Sequence, residues 1–205
     1  MKRLSVLLIF AACAFAQKPD KPLKNGLYAI FNTELGKITA QLYEKDTPNS
    51  VATFVLLAQG ALASRDPKTN AMVKRPLYDN TTFYRIVPGQ AIQGGSPNGT
   101  PLYDCGFVIK DEILPGLMFS QAGKLAIANA GSPDTGGCQF FITTGPVTTW
   151  NGKYSIFGQV VEGLDVVTQI GKVPVHGDQP VNPIKLISVT IQRVGPMPVV
   201  KKPKN

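Results

Sequence analysis

Residues 83–95 read FYRIVPGQAIQGG, and this stretch indicates the fold more clearly than any other. An apolar, aromatic run carries one cation, Arg85, breaks at Pro88-Gly89, and resumes briefly up to Gln93. Apolar runs on both sides of a proline-glycine bend predict two strands joined by a turn. Arg85 then either points into solvent from a half-buried strand, where side chains alternate between faces, or belongs to a functional site.

A second unusual segment favours the functional site. Residues 125–131 read LAIANAG, and a turn rich in Ser, Pro, Asp, Thr and Gly leads from them to residues 138–142, which read CQFFI. Residues 83–95 and 125–131 are thus two apolar runs that each end in polar or small residues. This pattern suggests strands that bring a few polar side chains together at one place.

The length and composition predict one globular domain. The chain has 205 residues, of which 43% are hydrophobic and 17% charged. A chain of this size can bury a full core and lies within the usual range of a single domain. Disorder along the whole chain is therefore excluded.

The N-terminus has the three parts of a secretory signal. Lys2 and Arg3 precede an apolar stretch from Leu4 to Phe15, and the small residues Ala14 and Ala16 stand just before Gln17. The apolar stretch is shorter than the roughly 20 residues of a membrane-spanning helix. We expect residues 1–16 to be a signal peptide cleaved after Ala16 in a periplasmic or secreted protein; the alternative is lipidation at Cys13.

The positive charge lies mainly near the chain ends. The formal net charge is +8, and removal of Lys2 and Arg3 leaves +6, much of it in residues 18–24 and 201–204. We interpret residues 17–25 as a flexible segment and residues 196–205 as a disordered basic tail. The rest of the chain lacks a basic stripe with interleaved aromatic residues, so nucleic-acid binding is not expected.

Cysteine and histidine are too few for a metal site. Without Cys13, only Cys105 and Cys138 remain, and His176 is the single histidine, in a stretch that predicts a surface loop. A structural zinc site needs four such ligands. We expect no metal, no cofactor and no catalysis by histidine, whereas two cysteines suit a compartment that permits disulfides.

Strand patterns dominate the rest of the chain. Strands are predicted at 27–33, 36–43, 81–87, 91–93, 124–128, 139–143, 154–160 and 184–194. Thr47-Pro48 can cap and start a helix that ends at Gly60, a second helix is predicted at 162–172, and residues 61–76 are expected to form a loop. Many short strands with two short helices indicate a mainly β barrel or sandwich, with helices able to close a barrel's ends.

Several of these segments together resemble the cyclophilin family in order and spacing. They are residues 83–95, residues 128–131, residues 139–142, Trp150 with Gly152-Lys153, and Phe157-Gly158. The resemblance covers roughly residues 26–194 and is closest to bacterial exported cyclophilins, so we take residues 26–195 as the domain. It implies an eight-stranded closed antiparallel barrel capped by two helices, and peptidyl-prolyl cis-trans isomerase activity.

The resemblance also implies site residues. Arg85 would be catalytic, Gln93 would steady it and hydrogen-bond the substrate, and Phe141 would form the proline pocket, with plain core packing as the alternative for Phe141. The implied substrate-binding set is Phe83, Gln93, Ala128, Asn129, Gln139, Phe141, Trp150 and Tyr154. Asn129 would act mainly through its backbone, Ala128 would stay small so that the peptide can approach, and Trp150 would lie at the rim unless it is only a structural cap.

The sequence departs from the family pattern at the proline pocket. Gln90 and Ala91 stand where the family has an aromatic residue and methionine, and a loss of apolar contact weakens binding at roughly 25 cal/mol per Å². Trp150 favours cyclosporin binding, whereas Asn151 and Tyr154 argue against it, so cyclosporin binding stays open.

The family alignment of residues 110–112 places Cys105 beside a secondary pocket that Cys138 also borders. We therefore hypothesise a disulfide between these two cysteines.

Two functions remain from the sequence. The first is a monomeric isomerase that acts on proline-containing peptides and unfolded exported proteins. The second is a chaperone-like module that binds proline-containing segments with little turnover, which the change at Gln90 and Ala91 makes credible. A serine hydrolase is excluded, because Ser96 lies outside a nucleophile-elbow pattern and no suitable histidine partner is evident.

Overall fold

The strands of one antiparallel sheet form most of the molecule, whose computed structural model describes residues 22–197. The strands in chain order are β1 Gly26–Thr33, β2 Gly36–Leu42, β3 Ser64–Arg65, β4 Met72–Val73, β5 Thr81–Phe83, β6 Arg85–Val87, β7 Ala91–Gly94, β8 Lys124–Ile127, β9 Phe140–Thr143, β10 Ile156–Glu162, β11 Val175–His176, β12 Gln179–Pro180 and β13 Ile184–Val194. The helices are α1 Pro48–Ala58 and α2 Leu164–Ile170, with a 3-10 turn at Thr148–Trp150.

Nine strands form the main sheet, in the order β5-β13-β1-β2-β10-β8-β9-β7-β6. Its two outermost strands, β5 and β6, are neighbours in the chain and are separated by Tyr84 alone. The two ends of the sheet therefore meet, and the sheet curls into a nearly closed barrel. The expected barrel is confirmed, and the count is nine because the strand expected at 81–87 divides at Tyr84.

The inward face of the barrel follows from alternation along the strands. Ile38, Ala40 and Leu42 on β2 are at most 3% exposed. The β1–β2 hairpin closes with Thr33 paired to Gly36, as the turn residues between the two strands predict. The 11-residue strand β13 pairs with both β1 and β5, so it joins the hairpin to the strand that precedes Arg85.

Aromatic rings fill the barrel. The Phe54 ring on α1 lies 4.9 Å from the Tyr78 ring, 5.1 Å from Phe157 and 5.6 Å from Phe140, between ring centroids. Phe31 completes the group at 5.4 Å from Phe140. Removing a buried phenylalanine costs about 3–5 kcal/mol, so this cluster holds α1 against the barrel interior.

The first helix starts where expected, but its N-terminal cap is a different residue. Thr47 was expected to cap α1; instead its hydroxyl donates to the Tyr43 carbonyl, and its side chain makes no cap hydrogen bond. Glu112, from a distant loop, accepts hydrogen bonds from the backbone amides of Asn49 and Ser50 at 3.0 and 2.8 Å. Helix α2 is shorter than expected, at Leu164–Ile170.

Two small hairpins lie outside the barrel. The stretch 61–76, expected to be a loop, contains β3 paired with β4, a pairing that its polar composition concealed. Strands β11 and β12 form the second hairpin, in which His176 is exposed, as expected of a surface residue.

Other expectations fall outside the described part of the chain. These are the signal peptide at 1–16, lipidation at Cys13, most of the segment 17–25 and most of the tail 196–205. Within residues 22–197, no helix has the length and apolar character needed to cross a bilayer.

Candidate active site

Strand register brings the predicted site residues into one row. Arg85 on β6 is paired with Gln93 on β7, Gln93 with Phe141 on β9, and Phe141 with Ala126 on β8. Side chains of directly paired residues lie on the same face of a sheet, with Cβ atoms about 4.5–5.5 Å apart. The adjacent row, Ile86, Ile92, Ile142 and Leu125, is fully buried, so Arg85, Gln93 and Phe141 belong to the outer face.

The Arg85 guanidinium is held at two of its three nitrogens. Nε donates to Oδ2 of Asp178 at 2.6 Å, and Nη1 donates to Oε1 of Gln93 at 3.1 Å. The Arg85 side chain is 41% exposed. Within the described residues 22–197, Nη2 makes no hydrogen bond, so this nitrogen remains for a ligand in the cavity that Arg85 lines.

Gln93 connects Arg85 to a larger hydrogen-bond network. Its Nε2 donates to the Tyr84 hydroxyl at 2.6 Å and to Oε1 of Gln139 at 3.2 Å. The Tyr84 hydroxyl in turn donates to Oε1 of Gln139. Burial raises the pKa of Tyr84 well above its ordinary value, so the phenol stays protonated and remains a donor.

Gln139 connects this network to the loop that contains Pro101 and Tyr103, two residues that line the cavity beside Arg85. Its Nε2 donates to the carbonyls of Tyr103 at 2.9 Å and Pro101 at 3.2 Å. A change at Gln139 would therefore reach both the loop and, through Gln93, the guanidinium of Arg85.

A cavity of about 550 Å³ opens beside Arg85 and is lined by Gln93, Ala128, Asn129 and Gln139 among others. The Asn129 side chain donates to the Lys153 carbonyl at 2.9 Å and accepts from the Gly131 amide at 3.1 Å. The backbone N–H and C=O of Asn129 make no hydrogen bond with other residues in 22–197. They can therefore pair with an extended peptide.

Three aromatic rings, those of Phe119, Trp150 and Tyr154, surround the Phe141 ring at one end of the row. The Phe141 ring is 5.3 Å from Trp150, 5.1 Å from Tyr154 and 5.8 Å from Phe119, between centroids. Edge-to-face and offset stacking at these distances stabilise such clusters. Trp150 and Tyr154 are partly exposed, whereas Phe141 is 4% exposed and Phe119 fully buried.

Gln90 and Ala91, the two positions that depart from the family pattern, have different surroundings. Ala91 is 4% exposed and packs in the cluster with Phe141 and Phe119, so its small side chain shapes the apolar wall. Gln90 lies in the β6–β7 turn with its side chain in solvent, and its carbonyl accepts from the Thr144 amide at 2.8 Å.

The structure corrects the expectation for Phe83. This residue was expected to contact substrate, but its side chain is fully buried in the barrel core and meets the Phe140 ring edge-on at 6.3 Å. The reason is the break at Tyr84: Phe83 on β5 points inward, while Arg85 on β6 points outward.

Cys105 and Cys138 are buried neighbours that line the cavity. Both are free thiols in the structure, and the Cys138 amide donates to Sγ of Cys105 at 3.2 Å. Hydrogen bonding from Cys138 lowers the pKa of the Cys105 thiol, whereas burial raises that of Cys138. The hypothesised disulfide stays a prediction.

Two residues beside the candidate site, Asp178 and Phe119, were missed from the sequence, and so was the contact between Asn151 and Phe119. Asp178 is 93 residues from Arg85 in the chain, and Phe119 lies in an irregular stretch without periodicity. Oδ1 of Asn151 accepts a hydrogen bond from the Phe119 amide at 2.8 Å and so holds that ring against Phe141. Nothing in a local pattern points to contacts of this length.

Comparison with known proteins agrees with the geometry. A family model described as cyclophilin type peptidyl-prolyl cis-trans isomerase/CLD matches residues 28–191. The peptidyl-prolyl cis-trans isomerase A of Mycobacterium tuberculosis is 39% identical over 166 residues, which cover 80% of this chain and 91% of that protein. The isomerase B of Streptomyces anulatus is 38% identical over 170 residues, which cover 81% and 97%.

A solved structure has the same architecture. It is a cyclophilin type peptidyl-prolyl cis-trans isomerase of Cryptosporidium parvum, crystallised in the presence of the dipeptide Ala-Pro. It superposes with a TM-score of 0.69 at 26% identity and covers 82% of this chain and 99% of that one. Because the family model matches residues 28–191, which is nearly all of the barrel, the chain belongs to the cyclophilin-type peptidyl-prolyl cis-trans isomerases.

Proposed function

We propose that this isomerase acts on exported proteins and that Arg85 lowers the barrier by stabilising the twisted X-Pro bond. The barrier to rotation, about 18–20 kcal/mol, comes from the conjugation of the amide. No bond to the enzyme has to form, so the enzyme needs only to favour the state in which conjugation is lost.

The twisted state differs from both planar isomers at the proline nitrogen. When conjugation is lost, this nitrogen regains its lone pair and accepts hydrogen bonds more strongly. A guanidinium that donates near this nitrogen and the neighbouring carbonyl therefore stabilises the twisted form more than the cis or trans form. Arginine stays charged at any working pH, which suits it better than lysine to this role.

One observation carries the proposal: Arg85 is anchored through Nε and Nη1, while Nη2 remains for the substrate. The groove supplies the rest. The backbone of Asn129 can hold the peptide in an extended form, and Phe141 with Trp150 and Tyr154 offers an aromatic surface for the proline ring. The Ala-Pro dipeptide used with the related Cryptosporidium structure supports this class of ligand.

An isomerisation assay on short X-Pro peptides tests the role of Arg85. We expect Arg85→Ala to lower kcat/KM by about 100- to 1,000-fold, the range for removal of a preorganised donor from a transition state. Arg193→Ala is the matched control, since it removes an arginine whose partner is Glu44 on another part of the barrel. Equal rates in Arg85→Ala and wild type would remove Arg85 from the mechanism.

Export is supported by the sequence of the first 16 residues, with Lys2 and Arg3 before an apolar stretch and a small-residue site. N-terminal sequencing of the protein made in a bacterial host tests this part. Cleavage predicts a chain that begins at Gln17 in the exported fraction. A chain that begins at an acylated Cys13 would support the lipid anchor instead, and an intact N-terminus would contradict both.

A further inference from the structure

The turn of the β11–β12 hairpin lies against the strand that carries Arg85. Strand β6 is the last strand in the sheet order, so one of its edges has no full-length partner. The backbone amide of Ile86 donates across this edge to the carbonyl of Asp178 at 2.7 Å. The hairpin thus places Asp178 beside Arg85 through the backbone, independently of any side-chain attraction.

The side chain of the same residue holds the guanidinium. Oδ2 of Asp178 accepts from Nε of Arg85 at 2.6 Å, while Nη1 donates to Gln93. We propose that Asp178 is a positioning residue for Arg85, which sets the direction of the free Nη2 toward the substrate groove. This inference rests on the proposed role of Arg85 in isomerisation.

Two anchors are needed because of the flexibility of arginine. Its side chain has several rotatable bonds, and a single contact from Nη1 would still let the guanidinium plane rotate. A carboxylate at Nε and an amide at Nη1 together define that plane. Preorganised donors contribute to a rate only when they point at the atoms whose charge develops, so loss of one anchor lowers the rate of the chemical step.

The contribution of Asp178 is orientation more than charge. The two side chains are 41% and 52% exposed, so solvent screens their attraction and the pair contributes little to stability. A neutral acceptor at the same place would hold Nε in the same way. Asparagine has such an oxygen at the same distance along the side chain, whereas alanine has none.

Four variants separate these possibilities: Asp178→Ala, Asp178→Asn, Arg85→Ala and, as the matched control for loss of an ion pair elsewhere, Glu44→Ala, which removes the partner of Arg193. We expect Asp178→Ala to lower kcat about tenfold with little change in KM, which corresponds to about 1.4 kcal/mol of transition-state stabilisation. Asp178→Asn should recover most of the rate, and Glu44→Ala should match wild type.

A spectroscopic readout reports the anchor directly. In ¹H–¹⁵N spectra of the wild type, the Nε–H of Arg85, assigned with Arg85→Ala, should exchange slowly with water because Asp178 accepts it. Asp178→Ala should make this exchange fast, while the urea unfolding midpoint stays close to that of wild type.

Each outcome has one meaning. A wild-type kcat in Asp178→Ala, together with a slow Arg85→Ala, overturns this inference and leaves the role of Arg85 intact. If Asp178→Asn is as slow as Asp178→Ala, the negative charge of Asp178 and not its orientation of the guanidinium supports the rate, which overturns this inference. If Glu44→Ala loses as much kcat as Asp178→Ala, removal of any ion pair lowers the rate, and the inference is overturned as well. A wild-type rate in Arg85→Ala instead refutes the proposed function itself.

Discussion

At the scale of single residues, the strand register around Arg85 brings its side chain next to Gln93 on the outer face of the barrel. The sequence allowed two interpretations of Arg85, a side chain that points into solvent or a member of a functional site. In the structure its side chain is 41% exposed and has two polar partners. Its pairing with Gln93, eight residues away across a tight turn, could be predicted from the local pattern. Its contact with Asp178 could not, because that contact spans 93 residues.

The cysteine pair gives a prediction at the same scale. In protein exposed to oxidised glutathione, we expect Cys105 to attack as the thiolate, because its pKa is the lowered one, and to close a disulfide with Cys138 while two glutathione thiols leave. The disulfide should then join residues that are 33 positions apart in the chain and raise the free energy of unfolding by roughly 3–4 kcal/mol.

Thiol titration measures this outcome, after unfolding without reductant, because both thiols are buried in the folded protein. The protein should begin at Gln17 so that Cys13 does not contribute. Oxidised protein should show no thiols, and Cys138→Ser provides a control that cannot close the bridge. Two thiols after oxidation would contradict the pairing.

At the scale of elements, the cap of α1 comes from outside the helix. The Glu112 carboxylate accepts four hydrogen bonds of 2.7–3.1 Å. The donors are the backbone amides of Asn49 and Ser50, the side-chain amide of Asn49 and the hydroxyl of Ser50. Because negative charge at a helix N-terminus also interacts with the helix dipole, Glu112 substitutes for the expected cap at Thr47. A local signature could not reveal this, since 62 residues separate Glu112 from Ser50.

Glu112→Ala should therefore lower the free energy of unfolding by about 2 kcal/mol, which is the cost of leaving these helix amides without their acceptor. Glu112→Gln retains one acceptor oxygen and should cost less. Urea unfolding measures both variants. An unfolding free energy of Glu112→Ala equal to that of wild type would show that water caps the helix as well as this side chain does.

The ion pair between Glu44 and Arg193 links the residues after β2 to the last strand. Both guanidinium Nη atoms donate to the carboxylate, at 2.9 and 2.6 Å. The side-chain hydrogen bond from Arg193 is the main reason why the pKa of Glu44 lies below its ordinary value. A lowered folded-state pKa gives stability that is present above the unfolded pKa and is lost as the pH falls through the folded pKa.

We therefore expect the difference in unfolding free energy between wild type and Glu44→Gln to be largest near neutral pH. It should shrink as the pH falls below about 4.5. Urea unfolding at a series of pH values measures it. A difference that stays constant down to the acid limit would mean that the pair makes no pH-dependent contribution.

At the scale of the whole molecule, the nearly closed barrel was predictable because its strands have strong local signals. The hydrophobic alternation of β2, the β-branched run of β13 and the proline at the start of α1 each gave nearly the observed bounds. The division at Tyr84 had no such signal, because it depends on how the two ends of the sheet meet. The misassignment of Phe83 follows from the same division.

The site was only partly predictable for a related reason. Sequence alone suggested six of the residues that line or adjoin the candidate site, because they belong to recognisable segments of the chain, and their roles stay predictions: Gln93, Asn129, Gln139, Phe141, Trp150 and Tyr154. Phe119, Asn151 and Asp178 reach the site from loops, whose side-chain contacts depend on how the barrel folds and not on local periodicity. The local sequence therefore specifies the strand residues of the site better than the residues that support them.

The central claim is that Arg85 binds the twisted X-Pro bond more tightly than either planar isomer. Exchange NMR on a proline-containing peptide, with wild type and Arg85→Ala, measures the isomerisation rate on the enzyme and the peptide affinity separately. We predict that Arg85→Ala lowers the rate on the enzyme by about 100- to 1,000-fold while the affinity changes little, since the lost contact belongs to the transition state. An unchanged rate on the enzyme with weaker binding would contradict the claim.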